Sequence, residues 1–331
     1  MIESILVIGS NSFSGSSFVN SALSTGRNIV GVSRQIEIDV PYCSYFNNKL
    51  IENFTYVQCD VNTDSATIVK LCEEFKISAV VNFAAQSMVG ESWNSPTDWY
   101  QTNVVGLAQL VDALSRSAWK IDRFLNFTTP EVYGSTDEWI KESFDFSPTT
   151  PYAISRAAGD FHLRAMNQSR NFPTLFTRAA NVYGEHQKAY RIIPRALIAA
   201  LTGKKFPLHG GGLSLRSFIH IDDVSSAVLR ILDEGEIGSS YHISTNHLVS
   251  IKDVVTACAK LLNLELEDLC ELSDDRIGKD AAYKLDSSKI RSELNWSEKI
   301  TLDEGLKRTL RWVQRDLDAI LSNELQYVHR R

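Results

Sequence analysis

The sequence holds little methionine, little proline and no surplus of positive charge. Three methionines and eight prolines stand in 331 residues, and 34 Lys and Arg face 40 Asp and Glu, a formal charge of -6. Without a basic surplus there is no broad field to draw the chain onto nucleic-acid phosphates. No nucleic-acid partner is expected, and any anionic ligand must be gripped by local cations. Cysteine is sparse too. Cys43, Cys59, Cys72, Cys258 and Cys270 form no C-x-x-C pair, and no nearby histidine matches them at ligand spacing. That argues against a zinc ribbon or thioredoxin-type motif and predicts reduced thiols in a cytoplasmic protein. The histidines are dispersed, so no metal is expected. No apolar run approaches the ~20 residues of a membrane helix. MIESILVIGS opens directly on a strand, so the expectation is no signal peptide. What is present is a 44% hydrophobic chain, ample for the core of one large domain or two intimate ones.

Short apolar runs bounded by turn formers predict strands at 4–8, 28–32, 54–60, 79–83, 124–127 and 174–178. Helical spacing predicts helices between them at 16–24, 67–75, 96–114 and 152–168. Strands alternating with helices at this pace mean a parallel sheet with right-handed crossovers. The pattern loosens after Tyr183. Helices are expected at 191–201, 222–232, 251–262 and 302–321, with strand-like runs at 216–220 and 241–244. The fold class is therefore α/β: a Rossmann-type doubly wound parallel sheet with a smaller, interleaved C-terminal lobe. Residues 1–180, with 214–245 returning to them, form the dinucleotide domain; 181–213 and 246–331 form the lobe. Ligands of such sheets sit at the carboxyl edge.

The first turn reads GSNSFSG, with Gly9 and Gly15 at the outer positions of a dinucleotide fingerprint and Ser12 where the middle glycine is usual. Phe13 and Ser14 belong to the same turn, and the helix it opens would aim its amides at the phosphates. At the end of the second strand, where an acidic residue would take the ribose 2′-hydroxyl, stand Ser33 and Arg34. A hydroxyl and a guanidinium match a 2′-phosphate, so NADP is read, with NAD as the alternative. Asp60, at the end of the third strand, contacts adenine or caps a helix. Val61, Phe83, Ala84 and Ala85 complete the cofactor set.

Seven motifs then fall in one order: GSNSFSG, NFAAQSMVGESWNSPTDWYQTNVVG, TTPEVYG, PYAISRAAGD, RAANVYGEHQ, RSFIHIDDV and DRIGKD. Together they span nearly the whole chain, which resembles the extended short-chain dehydrogenase/reductases and, within them, the nucleotide-sugar 4,6-dehydratases. The resemblance implies an NDP-hexose substrate and a reaction that oxidises C4, eliminates water across C5–C6 and returns hydride to C6. It assigns Tyr152 to the 4-hydroxyl proton, Thr129 to the sugar O4 and Glu131 to the C5 proton. Tyr152 and position 156 share a helical face, but the family's lysine is here Arg156, which keeps a fixed charge that favours tyrosinate and can donate to ribose hydroxyls. Pro130 stands where many relatives carry an aspartic acid that protonates the leaving 6-hydroxyl; proline cannot. Substrate contacts are implied for Ser87, Asn181, Arg195, Arg216 and Arg276, the last two on the diphosphate. The helices at 96–114 and 152–168 resemble the pair through which relatives form homodimers. A 4-epimerase on the same fold, and a non-catalytic NADP(H) sensor, are the rival readings.

Overall fold

The computed structural model describes residues 2–37, 40–273, 282, 284–323 and 325–329. Strands β1 (Ser4–Ile8), β2 (Asn28–Ser33), β3 (Phe54–Gln58), β4 (Ala79–Asn82), β5 (Arg123–Thr128) and β6 (Thr174–Ala179) form a parallel sheet with a seventh strand, Ser240–Ile243, at one edge. The spatial order is Ser240–Ile243, β6, β5, β4, β1, β2, β3. β1 pairs in parallel with β2 on one side and β4 on the other, Ile5 facing both Ile29 and Ala79. The direction of winding reverses there, and the crevice opens beyond the carboxyl ends of those strands.

The continuous apolar runs are explained by burial on both faces. Ile5 and Val7 enter one core, while Leu6 and Ile8 enter the other. Helices α1 (Phe13–Leu23) and α8 (Ile221–Glu234) cover the first face through Phe18, Val19, Val224 and Val228. On the second face α2 (Ser65–Glu74) contributes Ile68 and Leu71. Each such side chain contributes roughly 1.5–3 kcal/mol. Beyond the small α3 (Val89–Ser92), α4 (Pro96–Tyr100) and α5 (Leu107–Arg116) lead to α6 (Pro151–Arg170) and α7 (Ile192–Thr202). A second core joins α7 to the helices Ile251–Lys260 and Leu302–Arg315 through residues such as Leu197, Val254, Leu310 and Trp312. No described helix is long and apolar enough to cross a membrane.

Four expectations need correction. The helix at 96–114 is not uniform: Gln101–Gly106 is a π turn between α4 and α5. Gly106 permits the close approach, since a Cβ there would lie 2.6 Å from the Asn62 side-chain oxygen. The helix at 302–321 breaks at Asp316, whose φ of -110° is not helical, giving Leu302–Arg315 and Leu317–Leu321. The run at 216–220 splits into Leu215–Arg216 and Phe218–His220, which pair with different partners. Ser217 between them is held by the Thr245 hydroxyl at 2.7 Å. β3 ends at Gln58, ahead of Asp60.

Candidate active site

The turn after β1 is as tight as a helix–strand junction allows. A Cβ on Gly9, whose φ is +80°, would lie 2.7 Å from the Ala84 amide nitrogen, and one on Gly15 would lie 2.2 Å from the Gly9 carbonyl oxygen. Ser12 needs no such freedom. It sits extended at φ -74° and caps α1, its hydroxyl accepting the Gly15 N–H at 3.0 Å. The first amides of a helix have no carbonyl one turn behind them and carry its positive dipole end. Phe13 and Ser14 stand at that end. This glycine-walled cradle fits a dinucleotide diphosphate.

The far end of the cradle is tied to the sheet. The Ser33 hydroxyl accepts the Asn11 N–H at 3.0 Å, and the Asn11 side chain donates to the Ile36 carbonyl at 2.8 Å. Gln58 donates to the Arg34 carbonyl at 2.9 Å, so Arg34 stands where β2 and β3 end. Glu37, the next carboxylate, is engaged by the Tyr45 hydroxyl at 2.9 Å. Asp60 does not cap α2; that position is Asp64. Asp60 instead accepts the N–H of Asn62 at 2.9 Å, a turn that shapes the loop beside buried Val61. Phe83 packs between Phe18 and Phe127, at 5.5 and 4.9 Å between ring centroids. Ala84 and Ala85 are half-buried and Ser87 is exposed.

Four of the candidate residues converge from two elements. Thr129, just past β5, caps a short 3-10 turn, Pro130–Tyr133, and its hydroxyl accepts the Glu131 N–H at 3.3 Å. Pro130 fills the first position of that turn, where a fixed φ and a missing N–H cost nothing. Opposite, Thr150 caps α6, accepting the Ala153 N–H at 3.1 Å, so Tyr152 and Arg156 lie in its first turns. Both are buried, at 8% and 4% exposure. Burial pushes the Tyr152 phenol up; the Arg156 charge opposes it, the Glu131 carboxylate adds to it, and a hydrogen bond from Thr129 and the Arg191 charge pull it back down. Thr129, Glu131, Tyr152 and Arg156 therefore come together as the sequence predicts, and the charge of Arg191, which the sequence did not point to, also acts on Tyr152. Arg156 donates through one terminal nitrogen to the Phe127 carbonyl, while its buried Nε has no hydrogen-bond partner among the described residues. A buried donor left open beside Tyr152 is the second feature that fits a cofactor hydroxyl.

Beneath these groups runs a polar lattice that sequence reasoning did not single out. The Ala84 N–H donates to Asn82 at 3.1 Å, Asn82 to Asn126 at 3.0 Å, and Asn126 to Asp160 at 3.0 Å. Arg178 pairs with Asp160 at 3.0 Å, both fully buried. Burial pushes the Asp160 carboxyl up, and Arg178 and then Arg156 hold it down. Asp160 follows Arg156 by one helical turn, so the lattice couples α6 to β4, β5 and β6. Asn103, in the π turn, makes a matching clasp. It accepts the Gln86 N–H at 2.9 Å and donates to the Gln86 carbonyl at 3.0 Å and the Ser155 hydroxyl at 2.9 Å. The readable signal was there: asparagines inside otherwise apolar strands and a helix must have partners.

On the lobe side, Asn181 lies in a strand, Asn181–Tyr183, paired with Phe218–His220. Arg195 on α7 places its guanidinium 4.9 Å from the Phe206 ring centre, and buried Arg216 donates to the Leu215 carbonyl at 2.7 Å. Neither is tied by these contacts to the Tyr152 group. Arg276 and the DRIGKD motif lie outside the described residues.

Known proteins are similar to this chain in sequence and fold. The profile of the family described as GDP-mannose 4,6 dehydratase matches residues 6–309. A dTDP-glucose 4,6-dehydratase of Neisseria meningitidis is 31% identical over 94% of this chain and 93% of its own. The solved structure of DesIV, a dTDP-glucose 4,6-dehydratase from Streptomyces venezuelae with NAD bound, superposes with a TM-score of 0.87 at 27% identity, over 96% of this chain and 98% of that one. A UDP-glucose 4-epimerase from Thermotoga maritima reaches a TM-score of 0.85 over 95% of this chain and 99% of its own, but at 22% identity the likeness is one of fold alone. With a match that runs through both the sheet and the second core, this chain is an enzyme and belongs to the GDP-mannose 4,6-dehydratase family.

Proposed function

We propose that the protein converts an NDP-hexose to its 4-keto-6-deoxy product. The observation that carries this reading is Glu131 set beside the Thr129–Tyr152–Arg156 group. A dinucleotide held in the cradle would supply the hydride acceptor for C4 and the hydride donor for C6. Tyr152 takes the 4-hydroxyl proton, with Thr129 holding O4 and Arg156 favouring the phenolate. The 4-ketone acidifies C5–H, and Glu131 removes that proton. Pro130 has none to give, so Glu131 passes its proton to the leaving 6-hydroxyl, which departs as water. A solvent proton then enters at C5, in place of the one lost with the water, and Tyr152 releases the 4-hydroxyl proton to solvent.

An epimerase needs no base for C5, so Glu131 separates the two readings. Glu131→Gln is expected to oxidise C4 and stop, accumulating reduced dinucleotide and a 4-keto-hexose with no solvent deuterium at C5. Wild type is expected to place deuterium at C5 of its product. Normal turnover by the variant overturns the dehydratase reading in favour of epimerisation.

NAD is the form bound by the Streptomyces relative. Ser33 and Arg34 support NADP as a second reading, since Glu37 is engaged by Tyr45. Equilibrium binding of the two forms separates them. The nucleotide diphosphate is assigned to the lobe 181–213 and 246–331, with Asn181, Arg195 and Arg216 as contacts and Ser87 near the sugar. A homodimer in the cytoplasm, formed across the π turn and α6, completes the proposal; Val105, Ile154 and Phe161 there are 41%, 43% and 46% exposed, an apolar face that a second copy would cover.

A further inference from the structure

After the helix Leu317–Leu321 the described residues 322–323 and 325–329 form no helix or strand, and Tyr327 and His329 attach them to the rest of the fold. Leu325, Gln326 and Val328 are exposed, while Tyr327 and His329 between them are half-buried. The His329 imidazole stacks on Trp99 at 4.9 Å between centroids and 17° between planes. Its Nε2 also bonds the Asp98 carboxylate at 2.8 Å. Under this cover Trp99 is fully buried. Both anchors belong to α4, which runs directly into the π turn carrying Asn103.

Tyr327 makes the opposite attachment. Its ring meets Tyr190 edge-on at 5.5 Å, just ahead of α7. Arg191 stacks on Tyr190 at 5.6 Å, and its charge acts on the Tyr152 phenol. Burial pushes the Tyr327 phenol up; Tyr190 and the Glu91 carboxylate add to it, and the Arg34 and Arg191 charges oppose it. The segment thus touches the helix after β4 with one residue and the entry to α7 with another.

We propose that Tyr327 and His329 form a strap that ties α4 to the start of α7 across the mouth of the cleft and gates exchange of the dinucleotide. Two aromatic anchors at the end of an otherwise exposed segment can release without disturbing either core. Ligand exchange then requires the strap to lift. The inference rests on the reading of the cleft as the dinucleotide site, and its test separates the two.

The test compares the wild-type chain with a Tyr327→Ala/His329→Ala double variant. Release of NADH, followed by its fluorescence after rapid dilution into excess NAD, is expected to quicken about tenfold, the effect of losing roughly 1.4 kcal/mol of closed-state stabilisation. Hydrogen exchange is expected to rise at both attachment points, 96–100 and 190–192. His329→Phe keeps a stacking ring without the Asp98 bond and is expected to fall between the two. Unchanged NADH release, or exchange that rises on one side only, overturns the strap. If neither protein binds NADH, the dinucleotide reading fails, and the hydrogen-exchange pattern alone decides whether the two sides are tied.

Discussion

A guanidinium is a fixed charge, whereas a lysine at the same turn can lose its own. That matters because Tyr152 is buried and its phenol is pushed up, with Arg156 the leading counterweight. Removing the cation raises the phenol further, so less tyrosinate forms at neutral pH. Arg156→Met is therefore expected to move the rising limb of the pH–rate profile to higher pH and to cut turnover at pH 7. Arg156→Lys is expected to restore most of it. A profile unmoved by Arg156→Met would remove Arg156 from the control of Tyr152. At this scale the sequence was legible where motifs name single residues, as at Gly9, Thr129, Tyr152 and Arg156. It was silent on Asp160, Arg178 and Arg191, because their positions depend on which strand lies beside which helix.

The strands of the seven-stranded sheet were legible to within two residues, because apolar runs between turn formers mark both ends, whereas the short strands Asn181–Tyr183, Phe206–His209, Val249–Ser250 and Cys270–Ser273 were not. The π turn was not. The 3.6-residue apolar pattern passes through Gln101–Gly106 without a break, and only the Gly106–Asn62 approach and the Asn103 clasp distinguish it. That clasp holds the loop after β4 against α6. Asn103→Leu keeps the branched shape but removes both Asn103 bonds to the Gln86 backbone in a buried site. A stability loss of about 1–3 kcal/mol is expected in denaturant unfolding. Dinucleotide affinity is expected to fall with it, since Ala84 and Ala85 lie on the tethered loop. Affinity at the wild-type level would show that packing alone holds that loop.

The whole molecule is closed by the strand Ser240–Ile243, which joins the sheet only after the chain has passed through the second core. His242 on that strand is fully buried; its Nδ1 meets the Asp286 carbonyl at 3.0 Å and its Nε2 the Tyr133 hydroxyl at 2.8 Å. A carbonyl can only accept, so Nδ1 carries a proton, and in the neutral ring the Tyr133 hydroxyl donates to Nε2. Burial, then the Arg178 charge, lowers its pKa from 6.5 to about 3. The unfolded chain thus takes up this proton first. The stability it contributes is complete above pH 6.5 and drains as pH falls toward 3, at up to about 1.4 kcal/mol per pH unit. His242→Gln is expected to flatten the fall between pH 6.5 and 5, a window clear of Glu185, whose pKa is lowered to about 2. An identical slope in the variant would place the acid sensitivity elsewhere. The late arrival of this strand also bears on how the protein is made. A nascent chain on the ribosome has β6 ready once Ala179 has emerged, yet its outer hydrogen-bonding edge stays bare until Ile243 follows. Over that stretch of translation the half-built sheet offers a template to any neighbouring strand. A gene fragment cut near codon 180 would freeze that state, so we expect it to yield aggregate and not a soluble dinucleotide domain.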